Sequence, residues 1–115
     1  MGGDPGAVAG LKRGDIHAAR FGRARGRVQA GDRPAVVLQA HGMAQWSTVL
    51  VAPLSTSALA TSFRPRVVVK GTETLALADQ VQPLAADRLG RRLGSLDADE
   101  LIELEAAVRK VLGLR

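Results

Sequence analysis

The sequence predicts a mainly β domain with helical additions, a small barrel that ends in an amphipathic helix. Several short apolar runs, each bounded by turn-forming residues, favour a small sheet or barrel. No regular helices separate these runs, which argues against a doubly wound parallel sheet. The clearest helical pattern lies at the end of the chain. With 115 residues, 46% of them hydrophobic, the chain can build one packed core but not two.

The first half of the chain predicts an extension, three strands and a basic loop. Residues 1–11 contain a Gly-rich start that predicts a disordered extension, and residues 12–115 predict a single domain. The first strand is expected over residues 14–19. Glycines and arginines crowd the following stretch, which predicts a mobile basic loop. Continuous apolar runs predict buried strands over residues 35–39 and 48–52.

The second half predicts a loop, three more strands and a closing helix. A Ser/Thr-rich stretch over 55–62 indicates a loop or a single helical turn. Further strands are expected over 66–69, over 75–82 and over 91–96, with a turn at Gly71-Thr72, a stop at Pro83 and a short helical turn over 85–88. Asp97 with Glu100 forms a capping-box pattern that predicts a helix start, and Gly113 predicts its end. One helix face is expected to carry Leu101, Leu104, Val108 and Val111.

The charge of the chain favours a polyanionic partner. The net charge is +5, and lysine supplies only three of the sixteen basic residues. Arginine suits phosphate because its planar guanidinium donates paired hydrogen bonds. Only three residues are aromatic, so contacts to nucleic acid would depend on arginine and polar groups rather than on stacking platforms. Without cysteine, an apolar span or a signal segment, we expect a cytoplasmic protein.

Three stretches carry candidate chemistry, and each also has an ordinary structural interpretation. Arg33 stands before Pro34 at the end of the basic loop, where it could grip a phosphate or merely face solvent. Ser55 and Thr56 follow a buried strand, where hydroxyl groups more often cap turns than catalyse reactions. Asp79 lies in an apolar run and needs a partner, for which an arginine such as Arg33 would serve in a structural ion pair.

These stretches, taken together, resemble the MazF/PemK family of toxins. KRGDI (12–16), RPAVVLQ (33–39), VAPLS (51–55), LADQV (77–81) and RLGRRLGSLD (88–97) occur in the order and spacing of that family, followed by the closing helix. The resemblance implies an SH3-like barrel of the MazF/Kid/CcdB toxin type, assembled as a homodimer. It further implies a metal-independent endoribonuclease without a cofactor, which cuts single-stranded RNA at specific sequences and is inhibited by an acidic antitoxin.

The resemblance also implies roles for individual residues. Arg33 matches the family's catalytic arginine, and Ser55 its catalytic threonine. Three neighbouring residues become candidates for a catalytic or RNA-binding role: Thr56, Asp79 and Gln80. Four arginines of the basic loop become candidates for RNA binding: Arg20, Arg23, Arg25 and Arg27. Val28 departs from the pattern, because some members have an acidic residue there, and Arg27 stands where a relative has a histidine.

Two other functions remain open at this stage. A CcdB-like toxin shares the predicted fold but acts by binding gyrase. A non-catalytic nucleic-acid-binding barrel would keep the basic surface without cutting RNA, and Val28 and Ser55 are consistent with it. His17 and His41 are interpreted as structural or surface residues, so no histidine pair for acid–base catalysis is expected.

Overall fold

The computed structural model describes residues 10–22, 31–40 and 47–115. These residues form seven strands, one α-helix and two 3-10 turns, in the order β1 (Asp15–Arg20), β2 (Asp32–Val37), β3 (Thr48–Ser55), β4 (Arg66–Val69), β5 (Thr72–Ala76), a turn at Ala78–Gln80, β6 (Gln82–Ala85), a turn at Ala86–Arg88, β7 (Leu89–Ser95) and α1 (Ala98–Leu112). The predicted mainly β architecture with a C-terminal helix is confirmed. Within the described residues, no helix is long and apolar enough to cross a membrane.

All the strands join one antiparallel sheet that curls into a half-barrel. The strand order is β4-β5-β3-β2-β1-β7, and β6 pairs with β3 outside this order. The long strand β3 holds the sheet together, because its first half pairs with β6, its middle with β2 and its last two residues with β5. Strand β1 pairs with β2 on one side and with β7, from the distant end of the sheet region, on the other. These three strands position the charged cleft described below.

The sheet buries both of its faces. Successive side chains of a strand point to opposite faces, and each face has its own cluster of buried apolar residues. The first cluster contains Ala35, Val37, Val49 and Val51, and the second contains Val36. The second cluster includes Leu104 and Ala107 of the closing helix, so this face is covered by α1. Leu11 packs against the first cluster. Residues 1–9 of the predicted extension lie outside the described residues.

The closing helix begins and ends as its sequence predicts. The backbone N–H of Glu100 donates to Asp97 Oδ1 at 2.7 Å, and Glu100 Oε1 accepts from the backbone N–H of Asp97 at 3.0 Å. The second carboxylate oxygen, Oε2, accepts from the N–H of Val68 on the sheet edge at 2.9 Å. Gly113 ends the helix with a left-handed φ of 71°, which glycine adopts without steric cost.

The predicted apolar face of this helix is only partly correct. Leu104 is fully buried, and Leu101 and Val108 are half-buried. Val111 lies on the same side two turns beyond Leu104, yet it is 40% exposed. The apolar cluster under the helix ends at Val108, so the last turn has no core to contact.

Two of the predicted strand boundaries that differ from the structure were placed at a proline. The strand expected over 75–82 ends at Ala76, and β6 then includes Pro83 instead of stopping before it. Proline is tolerated there because β6 pairs only with β3 among the described strands, so no second ladder needs the missing N–H. Strand β2 begins at Asp32, and Pro34 pairs with β1 before the β3 ladder starts at Ala35.

Candidate functional site

Arg33 lies on a strand beside a charged cleft. It occupies the second position of β2, opposite Ala19 of β1, and its side chain is half-buried. Ala19 is also paired with Leu89 of β7, so β1 separates Arg33 from the start of β7 by a single strand. The cleft has a volume of about 440 Å³ and lies along β1, β2, the 86–88 turn and β7. Arg33 therefore lies within β2 and not at the end of the preceding loop, where the sequence placed it.

The cleft combines an apolar floor with five charged side chains. Ala19 and Leu89 contribute to the apolar part of its lining. The charged residues are Arg20, Asp32, Arg33, Asp87 and Arg88. Three of these residues, the two aspartates and Arg88, were not predicted from the sequence as site residues. Arg88 falls in a stretch that resembles the family, RLGRRLGSLD, but that pattern alone does not show that the turn brings its first arginine to Arg33.

Ser55 and Arg33 lie on neighbouring strands but line different clefts. The β2–β3 ladder runs from the Ala35–Pro53 pair to the Val37–Val51 pair, so both residues lie just outside it. Beyond the ladder, Arg33 pairs with Ala19 of β1 and Ser55 with Leu75 of β5. Ser55 nevertheless lines a separate cleft of about 220 Å³, together with Thr56 and Arg66. The structure thus brings the two predicted catalytic residues to neighbouring strands without a shared cleft.

The Ser55 hydroxyl caps the turn that follows its strand. Ser55 is 2% exposed, and its Oγ accepts from the backbone N–H groups of Ser57 at 3.2 Å and Ala58 at 3.1 Å. Ser57 Oγ lies 3.5 Å away. Thr56, by contrast, is exposed at the turn. The capping role considered for these hydroxyl groups is therefore present for Ser55, whose oxygen lone pairs are occupied by two donors.

Asp79 forms an ion pair with Arg64, and not with Arg33 as the sequence suggested. Arg64 Nε donates to Oδ1 at 3.0 Å and Nη2 donates to Oδ2 at 2.8 Å, so the pair is bidentate. The side chains are 16% and 27% exposed. These hydrogen bonds, together with the charge of Arg64, hold the pKa of Asp79 below its usual value. Asp79 lies in the 78–80 turn and not in the strand that the sequence predicted over 75–82. Gln80 is half-buried beside it.

The β4–β5 hairpin explains why Arg64 meets Asp79. Arg66 pairs with Leu75, and the N–H of Ala76 donates to the carbonyl of Pro65 at 2.9 Å. The hairpin therefore carries the residue before Pro65 back to the start of the 78–80 turn. The turn predicted at Gly71 could have indicated this pair. Two strands that fold back on each other about this turn bring residues near 64 and 77 together. That pairing requires the hairpin register, which composition alone does not supply.

Of the four arginines predicted in the basic loop, Arg20 is instead the last residue of β1, and the other three lie outside the described part of the chain. Arg20 is exposed and lines the charged cleft. Arg23, Arg25 and Arg27 fall outside the described residues, as do Val28 and His41. The base of the basic loop is closed by two backbone hydrogen bonds of 3.0 Å, from Phe21 to Gly31 and from Gly31 to Gly22.

His17 is a buried residue that contributes to the frame of the sheet. It is 9% exposed, and its Nδ1 lies 3.0 Å from the carbonyl oxygen of Gly90 on β7. This contact ties β1 to the wall of the charged cleft and agrees with a structural interpretation. Within residues 10–22, 31–40 and 47–115, no three side chains of the metal-binding types lie together.

Comparison with known proteins identifies the family. The model of PemK-like, MazF-like toxins of type II toxin–antitoxin systems matches residues 12–112. This chain belongs to that family. The chain is also 41% identical over 104 residues to Rv3098A of Mycobacterium tuberculosis, which is named as a toxin; the match covers 89% of this chain and 97% of that protein.

Solved structures of MazF proteins share the fold. MazF from Deinococcus radiodurans superposes with a TM-score of 0.81 at 24% identity, covering 90% of this chain and 97% of that one. The Mycobacterium tuberculosis toxin MazF-mt6 gives 0.75 at 22% identity, with 88% and 98% covered. A mycobacterial endoribonuclease in complex with its cognate antitoxin gives 0.76 at 19% identity, with 90% and 95% covered. The predicted toxin-type barrel is thereby confirmed.

Proposed function

We propose that this chain is a metal-independent, sequence-specific endoribonuclease toxin that cleaves single-stranded RNA. The observation that carries the proposal is the family match over residues 12–112, which includes Arg33 on a strand beside the charged cleft. Structures of similar fold are named endoribonucleases, and one of them is bound to its cognate antitoxin. The proposed setting is a cytoplasmic type II toxin–antitoxin pair, in which a homodimer of this chain is the toxin.

The proposed reaction uses the RNA's own 2′-hydroxyl group as the nucleophile. The 2′-oxygen forms a bond to phosphorus while the bond from phosphorus to the 5′-oxygen breaks. The 2′-hydroxyl loses its proton, the departing 5′-oxygen gains one, and the products are a 2′,3′-cyclic phosphate and a 5′-hydroxyl. Arg33 stabilises the negative charge of the phosphorane, because a guanidinium donates to two phosphate oxygens at once. A permanently protonated guanidinium is a poor base, so its role is charge stabilisation.

Ser55 is proposed to donate a hydrogen bond to the same phosphate. Its oxygen already accepts from two backbone N–H groups, so only its own hydrogen, which also has Ser57 Oγ within 3.5 Å, can be donated to an RNA oxygen. This arrangement excludes Ser55 as a general base. The exposed hydroxyl of Thr56 is the alternative donor if the buried Ser55 does not reach the RNA.

Asp79 and Gln80 are proposed as accessory residues near this end of the sheet. Both carboxylate oxygens of Asp79 accept from Arg64, which favours a role in holding the segment after Ser55 over direct contact with RNA. Gln80 is half-buried in the same turn, and its carbonyl oxygen accepts from Gln82 Nε2 at 3.1 Å. Their contribution to catalysis remains a prediction.

The substrate and the inhibitor are proposed to share the basic surface. Single-stranded RNA is favoured because its bases can be unstacked and read, whereas duplex RNA hides them. Arg20 at the end of β1, together with Arg23, Arg25 and Arg27 that follow it in the sequence, is proposed to bind the RNA backbone. An acidic antitoxin segment would compete for these charges, which explains how it blocks cleavage.

A cleavage assay with a charge-matched control tests the proposal. Purified protein is incubated with a long RNA, with and without EDTA, and the cut ends are mapped. We expect site-specific cuts that resist EDTA and disappear when the antitoxin is added. Arg33→Gln should slow cleavage about a hundred- to a thousandfold, as for other lost transition-state donors. Arg91→Gln removes the same charge from β7 outside the cleft and should cleave normally. An Arg33→Gln variant that cuts at the normal rate would contradict the assignment.

A non-catalytic nucleic-acid-binding barrel is the second candidate. The observation that favours it is the burial of Ser55, whose hydroxyl already caps a turn. The same assay separates the candidates, because this one predicts tight binding to RNA that stays intact.

A further inference from the structure

The charged cleft beside Arg33 has the size of a small-ligand site. Its volume of about 440 Å³ falls in the range of roughly 300–1,000 Å³ that is usual for such sites. Three strands and a turn form its walls, and their position is fixed by backbone pairing: Ala19 of β1 pairs with Arg33 on one side and Leu89 on the other. The part of the lining that β1, β2 and β7 supply is therefore fixed by the sheet itself.

Arg88 adds a positive charge to the lining of this cleft. Its Nη1 donates to the carbonyl oxygen of Arg20 at 3.4 Å, and the same atom would lie 3.5 Å from a Cβ added to Gly22. The guanidinium thus lies beside the end of β1, and Arg20 and Arg33 line the same cleft. Several arginines in one lining favour a phosphate-bearing ligand.

Two carboxylates in the same lining restrict the ligand further. Asp32 and Asp87 both line the cleft. Within the described part of the chain, the ion pairs are Arg13–Glu105, Arg64–Asp79, Arg66–Glu73 and Arg92–Asp15, so neither of these two carboxylates is used in one. A carboxylate only accepts hydrogen bonds, so a ligand that contacts either aspartate brings donors as well as an anion. An acidic peptide brings carboxylates that Asp32 and Asp87 would repel.

We propose that this cleft binds one nucleotide of the RNA, with a preference for a base that carries an exocyclic amino group. The phosphate contacts Arg88, the base lies against the apolar floor, and Asp32 or Asp87 accepts from the amino group of adenine, cytosine or guanine. Carboxylates read the amino group of cytosine in the same manner in other complexes. Uracil has no amino group and is disfavoured. This inference rests on the proposed function, because it takes RNA as the substrate.

The experiment measures binding without cleavage. Short single strands of deoxyadenosine, deoxycytidine and deoxyuridine lack the 2′-hydroxyl group, so they cannot be cut by the proposed reaction. Their affinities for the full chain are compared by fluorescence anisotropy at several salt concentrations. We expect the deoxycytidine and deoxyadenosine strands to bind about fivefold or more tightly than the deoxyuridine strand.

Paired variants separate the contributions of the two charge types. Arg88→Gln should weaken the binding of all three oligonucleotides about equally and should reduce the salt dependence of binding by about one phosphate contact. The control Arg91→Gln should change neither quantity. The double variant Asp32→Asn, Asp87→Asn should abolish the preference for amino-bearing bases. Asp99→Asn with Glu103→Gln makes the same charge change on the exposed surface of α1 and should keep the preference. Circular dichroism verifies that each variant is folded.

Three results would overturn the proposal. The first is equal binding of the three strands by the unaltered protein. The second is an unchanged preference in the double aspartate variant. The third is that Arg88→Gln weakens the binding of an oligoglutamate peptide but not the binding of the DNA strands. This result would assign the cleft to an acidic partner. Failure of the proposed cleavage is distinguishable from these results: a chain that binds with the stated preferences but leaves RNA intact keeps this site and loses the catalytic function.

Discussion

Replacing Asp79 by asparagine tests how the segment after Ser55 is held in place. Arg64 donates to both oxygens of Asp79, at 3.0 and 2.8 Å, and its Nη1 donates to the carbonyl oxygen of Leu59 at 3.0 Å. Its guanidinium carbon also lies 5.7 Å from the centre of the Phe63 ring. One arginine thus connects the β3–β4 segment to the 78–80 turn. Asp79→Asn removes the charge while keeping the size of the side chain.

The expected loss of stability follows from the geometry and the exposure of the pair. Hydrogen bonds to charged groups contribute about 1.5–3 kcal/mol when they are buried. The two side chains are 16% and 27% exposed, and water screens part of the interaction. We therefore expect Asp79→Asn to lower the free energy of unfolding by about 1–2 kcal/mol at neutral pH.

This loss should depend on pH in a defined direction. The hydrogen bonds from Arg64 lower the pKa of Asp79 in the folded protein. A carboxyl group with a lowered pKa stabilises the fold above its unfolded pKa, about 3.9, and loses that contribution as the pH falls through the folded value. The difference in stability between the unaltered protein and Asp79→Asn should therefore be largest near neutral pH and shrink below about pH 4.

Urea denaturation followed by circular dichroism, at fixed protein concentration, measures these differences. Glu73→Gln is the control, because Glu73 pairs with Arg66 at 3.6 Å while 68% and 80% of the two side chains are exposed. Such an exposed pair contributes little, so the control should change the stability by less than about 0.5 kcal/mol. The reasoning is refuted if Asp79→Asn matches this control at neutral pH, or if its effect is the same at every pH.

Three further substitutions have predictable outcomes. Ser55→Ala removes the acceptor for two backbone N–H groups and should cost about 1–3 kcal/mol in urea denaturation, while Ser55→Thr should retain most of the stability; equal loss in both variants would argue against the cap. Asp97→Ala removes the helix cap and should cost about 1 kcal/mol, measured by thermal unfolding, with Asp99→Ala as a milder control. Leu104→Ala should cost about 2–5 kcal/mol, because Leu104 is fully buried, and an effect as small as that of the exposed Ile102→Ala would contradict its place in the core.

The parts of the fold that follow from local chemistry were predictable from the sequence. The start and end of α1 follow from hydrogen bonds within a few residues of Asp97 and Gly113, so the sequence pattern suffices. The boundaries of β2 and β6 were not predictable in this way. Pro34 and Pro83 normally end strands, and only the sheet topology shows that each lies where a neighbouring ladder is missing.

The candidate site was predictable only where the family resemblance supplied it. Arg33 and Ser55 were assigned by resemblance, and the register sets them on neighbouring strands. The predicted partner of Asp79, Arg33, was wrong. The β4–β5 hairpin determines which arginine lies beside Asp79, and the sequence alone does not give the register of that hairpin. The sequence did not indicate that Asp87 and Arg88 belong to the site. They are distant from β1 and β2 in the chain, and the 86–88 turn brings them into the same cleft.

The two oxygens of Glu100 make the start of the helix and one margin of the sheet a single cooperative unit. Strand β4 is the last strand on its side of the sheet, so its outward amides would otherwise be open to another chain. Glu100 satisfies one of them, at Val68, with the same carboxylate that secures Asp97. Fraying of the first helical turn therefore also uncovers a strand that can template aggregation. Protection against misassembly is coupled here to helix capping through one side chain.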